Sequence, residues 1–321
     1  MTEHHFIINP AAGKTDRTLS IRAAVEAAFR NRPQPWRISV SAAPGDCVRL
    51  ARRACEGGAD VRLYACGGDG TLNEVVCGAA SFQNAAVTHY PCGSGNDFIK
   101  IFSAPAAFRD LGRLIDGAEA EFDLIQVGER GEGGCSLNIC SVGFDARIAA
   151  DMNRYKSLPL LSGHGAYVLS AGLNLIKGLH APYRVELDTG ESFDRRQTLV
   201  CILNGRWYGG GFNPVPEAEP DDGMLEVLLV RAVSRFTAAA VIGSYKKGRY
   251  ADYPRLIEHY RCRAVTIHTP RPTTANLDGE IIQWDGALTF RLAEERVRFV
   301  YPRGLVWRGI GRAASESRAR A

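Results

Sequence analysis

The stretch YACGGDGTLNEVV, Tyr64 to Val76, decides the fold of this chain. Apolar residues typical of a buried strand are followed by three glycines around one carboxylate, and a helical pattern starts immediately afterwards. Glycine allows positive φ and lets a ligand come close to main-chain N–H groups, while the helix N-terminus beyond adds partial positive charge. The turn is therefore predicted to hold a polyphosphate. Its residues are Gly67, Gly68, Asp69, Gly70 and Thr71.

The segments on either side of this turn alternate between strand and helix patterns through residue 127. Strands are predicted for HHFIINP, WRISVS, DVRLYAC and AAVTHYP. Helices are predicted for TLSIRAAVEAAFRN, GDCVRLARRACEGG, TLNEVVCGAA and PAAFRDLGRLIDGA. This order favours a parallel sheet with helices on both faces, where ligands bind at the carboxyl ends of the strands. The glycine clusters lie at those ends.

The pattern changes near residue 121 to short strands separated by Gly, Asp and Pro turns, with helical insertions at 145–154 and 164–179. We therefore expect a fold of the α/β plus β class. Its first domain, 1–127, contains the parallel sheet, and the C-terminal segment 303–321 is expected to pack back on it. The second domain, 128–302, is expected to be mostly antiparallel.

Composition limits the possible functions. The 321 residues favour two domains, and a net charge of +4 is too mild to indicate nucleic-acid binding but allows an anionic substrate or membrane surface. Nine cysteines without a C-x-x-C pair, after a start that lacks signal-peptide features, predict reduced thiols in a cytoplasmic protein. No apolar run reaches the roughly 18 residues of a membrane span, so any membrane contact would be peripheral.

Asp69 predicts a metal. A carboxylate among phosphate-binding amides repels the ligand unless a cation lies between them, which implies Mg²⁺; the alternative is that Asp69 only caps the following helix. The standard phosphate-binding fingerprints fail, because Asn73 replaces a glycine or alanine of the dinucleotide motif and Ile8 replaces the first P-loop glycine.

Two further glycine clusters follow neighbouring strands. PCGSGNDFIK contains Ser94 and Asp97, and NPAAGK runs from Asn9 to Lys14. Because the carboxyl ends of parallel strands meet at one edge of the sheet, the three clusters predict one shared anion site.

Taken in order, INPAAGK, GGDGTLNEVV, PCGSGNDF, YGGGFNPVPEAEPDDGMLEV and LDGE resemble the diacylglycerol kinase catalytic family, which includes bacterial lipid kinases and the sphingosine and ceramide kinases. The resemblance covers essentially the whole chain. It implies an ATP-binding domain of the phosphofructokinase and NAD kinase type, a β-sandwich lipid-substrate domain, and ATP-dependent phosphorylation of a lipid hydroxyl in the cleft between them. Cys92, where the family often has Leu, and Ser94, where Thr is commoner, are small departures.

The resemblance also implies catalytic roles. Glu280 of NLDGEIIQW is the expected general base, and Asp278 orients the hydroxyl or reaches Mg²⁺; the alternative is a type I′ hairpin turn, for which Asp-Gly is the standard signal. Asp69 and Asp97 are expected to serve the nucleotide-bound metal. Asn9, Ser41, Asn73 and Ser94 are expected polar contacts to the nucleotide. Lys14 either neutralises phosphate charge or is a solvated loop residue.

Similar family members have a structural Mg²⁺ site in the loop PEAEPDDGMLEV, so Glu219, Asp222 and the Met224 carbonyl are candidate ligands. The alternative is an acidic surface loop. Asp123 either joins the acidic residues of the site or caps a turn. The segment from Trp207 to Gly211, which includes Tyr208, is expected to wall the cleft.

The lipid side of the site is less defined. In SLPLLSGHGAYVLSAGLNLIKGLH, the apolar side chains either line an acyl pocket, touch a bilayer, or form ordinary core; they include Leu158, Leu160, Leu161 and Tyr167. SYKKGRY and the arginine-rich tail either meet anionic headgroups or are solvated. NAD kinase and a catalytically silent nucleotide-binding regulator are the competing functions. The acceptor lipid and the choice between monomer and homodimer stay open.

Overall fold

The computed structural model describes residues 1–129, 131–155 and 178–308. The helices are α1 Thr18–Phe29, α2 Asp46–Cys55, α3 Asp69–Ala79, α4 Leu111–Ile115, α5 Phe144–Tyr155 and α6 Arg235–Tyr245, with 3-10 turns at Phe98–Ile101, Pro105–Arg109 and Tyr250–Asp252. The strands are β1 Glu3–Ile8, β2 Trp36–Val40, β3 Val61–Gly67, β4 Ala85–Pro91, β5 Ala118–Phe122, β6 Ile125–Val127, β7 Gly134–Ser136, β8 Ile139–Gly143, β9 Ala181–Leu187, β10 Ser192–Leu203, β11 Leu225–Arg231, β12 Ile257–Cys262, β13 Ala264–Leu277, β14 Glu280–Leu292 and β15 Val297–Tyr301.

The first domain is built on a six-stranded sheet in the order β2-β1-β3-β4-β15-β5. All neighbouring strands are parallel except β5, which is antiparallel to β15. The helices bury one face each; on α1 this face consists of Ile21, Val25 and Phe29, four residues apart. The carboxyl ends of β1, β3 and β4 therefore lie side by side, and the glycine clusters follow them.

The expected helix at 105–118 is divided in two. Pro105–Arg109 forms a 3-10 turn, and α4 starts only after Asp110, whose carboxylate accepts a hydrogen bond from the Arg113 N–H at 3.1 Å. The side chain of Asp110 thus caps a new helix and ends the preceding turn.

The second domain is a nine-stranded sheet in which β12-β11-β10-β8-β13-β14-β6-β7 are neighbours in that order. Strand β9 pairs with one end of both β10 and β13, and the short strand β8 pairs with their other ends. The long strands β10 and β13 therefore close the sheet on itself around an apolar core. The predicted fold class, a mostly parallel sheet followed by an antiparallel β-rich domain, is confirmed.

The chain returns to the first domain through β15, which lies between β4 and β5. The predicted second domain, 128–302, includes β15. The pairing of β15 places it in the first sheet, so the chain returns to the first domain at Val297. Trp307 then packs edge-on against Phe102 and Phe122 in the first core. The rest of the expected C-terminal segment, from 309 onward, lies outside the described residues.

The structure overturns the expectation of reduced thiols at one place. Cys77 of α3 and Cys135 of β7 form a disulfide with a Cα–Cα distance of 5.7 Å. The two residues are 58 positions apart, and only the packing of α3 on β7 brings them within bonding distance. The other cysteines are free and buried. The expectation fails because cysteine spacing carries no information on this contact.

The first helical insertion, expected at 145–154, corresponds to α5. The second, at 164–179, falls almost entirely outside the described residues, as do the apolar side chains proposed for the lipid. Within the described ranges, none of the helices combines the length and the apolar character that a membrane crossing requires.

Candidate active site

Three glycine-containing loops meet at the carboxyl edge of the first sheet. The amide of Asn9, after β1, donates to the Thr71 hydroxyl at 2.9 Å. A Cβ at Gly13 would lie 2.5 Å from the Cys92 carbonyl oxygen, and a Cβ at Gly93 would lie 2.5 Å from the Gly68 Cα. Because no Cβ fits at these contacts, glycine is what lets the loops approach one another.

Helix α3 begins in the middle of the first glycine cluster. Gly68 is its N-cap residue, and the helix has no side-chain cap. The first N–H groups of a helix have no partner within the helix, so an uncapped start next to two other turns can receive an anion. Gly70 adds room, since a Cβ there would meet nothing within 4 Å.

Asp69 does not cap α3. Its carboxylate accepts hydrogen bonds from the backbone N–H groups of Asp97 and Phe98, at the start of the turn after β4. The pKa of Asp69 is raised from 3.8 to about 7; burial is the largest cause, and the charges of Asp97 and Asp278 add to it against the lowering effect of the two N–H groups. This carboxylate is thus held where its negative charge is unfavourable without a cation.

Asp97 connects the two domains. It is 5% exposed, forms an ion pair with Lys100 and accepts the Gly210 N–H at 2.9 Å. Gly210 belongs to the expected wall segment, whose Trp207 carbonyl also accepts the side-chain amide of Asn138 at 2.7 Å. The wall segment therefore contacts Asp97 of the first domain through the Gly210 N–H.

Asp278 occupies a hairpin turn between β13 and β14, where Leu277 pairs with Glu280. Asp278 and Gly279 have φ values of 50° and 99°, as a type I′ turn requires. The Asp278 side chain points inward and accepts hydrogen bonds at 2.8 Å from Ser136 Oγ and from the N–H groups of Asn138 and Ile139. The hairpin-turn interpretation therefore holds for this position, and the catalytic role of Asp278 stays a prediction.

Burial raises the pKa of Asp278 to about 6, although its hydrogen-bond donors favour the charged form. Together with Asp69 it lines a narrow, closely packed cavity that is too small to admit a water molecule. The other lining residues are Leu72, Asn73, Phe98, Leu137 and Asn138.

Glu280 follows this hairpin turn as the first residue of β14, and it is exposed. Its side chain makes no hydrogen bond or ion pair with the part of the chain that the structure describes. Lys14 and Ser94 are likewise exposed, on the loops after β1 and β4. Ser41 is buried at the end of β2, where its N–H donates to the Ile8 carbonyl at 2.9 Å.

Asn73 has a different role from the expected nucleotide contact. Its amide donates to the Cys135 carbonyl at 3.0 Å and accepts the Leu137 N–H at 3.1 Å. Both partners belong to the second domain. The side chain, which is 3% exposed, thus joins the domains one helical turn before the disulfide at Cys77.

The loop expected to bind a structural metal makes ion pairs in the structure. Asp222 pairs with Arg261 and accepts the Met224 N–H at 3.0 Å. Asp123 pairs with Arg296 at 2.8 Å and accepts the Gly223 N–H at 2.8 Å, away from the acidic residues of the cavity. Across the described ranges, the acidic, histidine and cysteine side chains form no group of three arranged to hold a metal ion. The metal ligands Glu219, Asp222 and Met224 stay a prediction.

Sequence reasoning missed Ser136, Asn138 and Lys100. Ser136 and Asn138 flank the start of β8 and hold Asp278, and Lys100 neutralises Asp97 from the next turn of the chain. Lys100 could have been found from its i,i+3 spacing to Asp97. Asn138 is less conspicuous in the sequence, where it is only an amide side chain directly before an apolar strand.

Comparison with known proteins finds a family model for each of two regions of the chain. Residues 3–127 match the family model described as the diacylglycerol kinase catalytic domain, and residues 138–293 match the YegS C-terminal NAD kinase beta sandwich-like domain. A probable lipid kinase YegS-like from Pseudomonas fluorescens Pf-5 is 31% identical over 298 residues, covering 88% of this chain and 94% of the relative. Another, from Xanthomonas campestris pv. campestris, is 30% identical over 279 residues, covering 84% and 87%.

Solved structures share the fold. A putative diacylglycerol kinase from Bacillus anthracis Sterne superposes with a TM-score of 0.71 at 20% identity, covering 95% of this chain and 98% of that one. An NAD kinase from Archaeoglobus fulgidus, solved in complex with ATP, gives a TM-score of 0.51 at 11% identity with full coverage of both chains. At these identities the likeness concerns architecture alone.

Proposed function

The chain belongs to the family of YegS-like probable lipid kinases, as its motifs indicate, and from this premise we propose that it transfers the γ-phosphate of ATP to a lipid hydroxyl group. The proposed acceptor is diacylglycerol or a related lipid, and Mg²⁺ accompanies the nucleotide. The enzyme is then a phosphotransferase with an alcohol group as acceptor, acting at the membrane surface.

One observation carries the proposal. Three glycine loops and an uncapped helix start meet next to a cavity that Asp69 lines from the first domain and Asp278 from the second. Phosphoryl transfer needs phosphate-binding amides, a divalent cation and a group that positions or deprotonates the acceptor. The arrangement supplies residue types suited to each need, from opposite sides of one cleft.

The residues fit a bound magnesium ion. Asp69 and Asp97 carry hard oxygen ligands, and the raised pKa of Asp69, caused by burial and by Asp97, is the signature of carboxylates that a cation would relieve. Bound Mg²⁺ would neutralise charge on the phosphate oxygens. The first N–H groups of α3 hold and orient the phosphates, with Asn9 and Thr71 fixing the loop after β1 against this helix.

On the acceptor side, Asp278 is a positioning residue, because its carboxylate is occupied by Ser136 and two backbone N–H groups. Holding the hairpin in this way fixes the backbone of Glu280. Glu280 is the proposed general base: it has no competing partner within the described residues and takes the proton of the lipid hydroxyl.

The experiment is a kinase assay with radiolabelled ATP and a panel of lipids in detergent micelles, with and without Mg²⁺, and with NAD as a parallel acceptor. We expect Mg²⁺-dependent labelling of one lipid class. Labelling of NAD alone would identify an NAD kinase, and binding of ATP without any transfer would identify a nucleotide-binding regulator; either result contradicts the proposal.

Glu280→Gln tests the base. General-base catalysis contributes about 10²- to 10⁴-fold, so the turnover of the variant should fall by that factor while its affinity for ATP is kept. Asp285→Asn is the matched control, since Asp285 is an exposed carboxylate on the same strand β14. Equal activity of Glu280→Gln and the parent would remove Glu280 from this role.

A further inference from the structure

His89 is a buried histidine in the first domain that has no part in the phosphoryl transfer described above. It lies on β4, beside Ala65 of β3, and its side chain is fully buried. Burial lowers the pKa of His89 from 6.5 to about 4, so the ring is neutral at neutral pH. A polar ring in such a place is unfavourable unless its nitrogen atoms have partners.

The Nε2 atom of His89 contacts the first glycine cluster. It lies 3.0 Å from the carbonyl oxygen of Gly67. A carbonyl oxygen only accepts hydrogen bonds, so Nε2 carries the proton of the neutral ring and Nδ1 keeps a lone pair. Nδ1 is buried and has no hydrogen-bond partner within the described part of the chain. Among the described residues, the Gly67 carbonyl is thus the one polar partner of this ring.

The Gly67 carbonyl oxygen has two further donors. The N–H groups of Cys92 and Gly93, in the turn after β4, lie 2.8 Å and 3.2 Å from it. All three donors therefore come from β4 and the turn that follows it. Because a carbonyl oxygen has two lone pairs, three donors leave this group little freedom to turn away from β4.

The direction of this carbonyl also sets the direction of the next N–H group. The peptide bond between Gly67 and Gly68 is trans, so its C=O and N–H groups point to opposite sides. Strand β3 lies between β1 and β4, and the Gly68 N–H therefore points to the side of β1 and the loop that follows it. This N–H has no acceptor among the residues that the structure describes.

The two glycines do not fix this peptide by themselves. Rotation of the peptide plane changes ψ of Gly67 and φ of Gly68, and glycine tolerates both orientations. The rotated plane would point the carbonyl oxygen at the anion site and withdraw the N–H group. Since Gly68 is the N-cap residue of α3, its N–H lies next to the helix start that is proposed to hold the phosphates.

We propose that His89 is a positioning residue, whose ring holds the peptide between Gly67 and Gly68 so that the Gly68 N–H donates to a phosphate oxygen of the nucleotide. His89 itself touches neither the nucleotide nor the acceptor. The inference rests on the proposed function, because it names the side chain that shapes the phosphate site of that reaction.

The test is isothermal titration of the full chain with Mg·ATP. His89→Leu removes the donor and keeps an apolar side chain, and its affinity should fall about 10-fold to 100-fold, as when a hydrogen bond to a charged group is lost. His89→Gln places an amide N–H three bonds from Cβ, as in His89, and should restore the affinity to within about 3-fold of the parent.

His4→Leu is the matched control. His4 is 3% exposed on β1, pairs with Arg62 at the other end of β3, and its Nδ1 lies 2.7 Å from the Tyr64 hydroxyl. This variant also loses a buried hydrogen bond, so it should be less stable in urea and still bind Mg·ATP like the parent. Parent-like binding by His89→Leu, or equal weakening in His4→Leu, would overturn the proposal.

NMR of the nitrogen-labelled parent needs no substitution. The ring of His89 should be the Nε2–H tautomer at neutral pH, and Mg·ATP should shift the Gly68 amide resonance. The Nδ1–H tautomer, or a Gly68 resonance that does not respond while Mg·ATP binds, contradicts the assigned contacts.

Steady-state kinetics separate positioning from a loss of stability. In His89→Leu the KM for ATP should rise about 10-fold or more with little change in kcat, because the N–H binds the phosphate both before and during transfer. A variant that is only less stable has fewer folded molecules, so kcat would fall at unchanged KM, and that result would overturn the proposal.

The titrations also distinguish this inference from the proposed function. A parent that binds Mg·ATP through a His89-dependent contact and phosphorylates no lipid supports the positioning role and refutes the kinase reaction. Lipid phosphorylation that His89→Leu leaves unchanged refutes the positioning role alone. A parent that binds no Mg·ATP refutes both.

Discussion

Replacing Asp69 by Asn should stabilise the metal-free protein. The folded pKa of about 7 lies above the ordinary 3.8, because burial and the neighbouring Asp97 disfavour the charged carboxylate. For an acid with a raised folded pKa, the folded state binds the proton more tightly. Its stability therefore falls as pH rises from the unfolded pKa and stops falling above the folded pKa.

The size of this change in the free energy of unfolding follows from the pKa shift of Asp69. About three pKa units at 1.36 kcal/mol each amount to about 4 kcal/mol of instability at neutral to alkaline pH. Asn lacks the charge but keeps an oxygen that can accept the N–H groups of Asp97 and Phe98. Asp69→Asn should therefore gain up to about 4 kcal/mol near pH 8, and less than about 1 kcal/mol near pH 4, where the folded carboxyl group is neutral and the unfolded one is only about half ionised.

The assay is thermal unfolding in EDTA across this pH range, followed by the same series with Mg²⁺ and ATP. The gain should raise Tm by roughly 8 °C near pH 8. Under the proposed role of Asp69, Mg²⁺ and ATP should stabilise the parent and have little effect on the variant. A variant that is less stable than the parent near pH 8, or a difference that does not depend on pH, would refute the electrostatic reasoning.

Three other changes test separate contacts. Gly93→Ala places a Cβ 2.5 Å from the Gly68 Cα, so it should abolish stabilisation by ATP in a thermal shift assay, whereas Gly57→Ala, whose Cβ would meet nothing within 4 Å, should not. Reducing the Cys77–Cys135 disulfide opens a loop of 58 residues, so the free energy of unfolding measured in urea should fall by up to about 4 kcal/mol. The variant Cys77→Ser should lose the same amount of stability, and reductant should have no further effect on it. Asp278→Asn presents an NH₂ group to donors that need acceptors, so urea unfolding should report a loss of about 1–3 kcal/mol; no loss would contradict the assigned hydrogen bonds.

The sequence was sufficient for the fold class and for the loops that meet in the cleft. Local signals carry both: strand and helix periods differ, and the glycine clusters mark the ends of parallel strands. The inward direction of the Asp278 carboxylate could not be predicted, since its Ser136 donor lies 142 residues away in the chain. The disulfide and the ion pair between Asp222 and Arg261 could not be predicted either, because only the tertiary fold brings their residues together.

The position of β15 also has a consequence for synthesis on the ribosome. Among the residues that the structure describes, strand β5 pairs only with β15, which is translated after the second domain. The domain that emerges first is therefore completed last, and its sheet edge at β4 stays uncovered while the 205 residues between Pro91 and Val297 are made. A nascent chain stalled before Val297 would carry a finished β-rich domain beside an incomplete nucleotide-binding one.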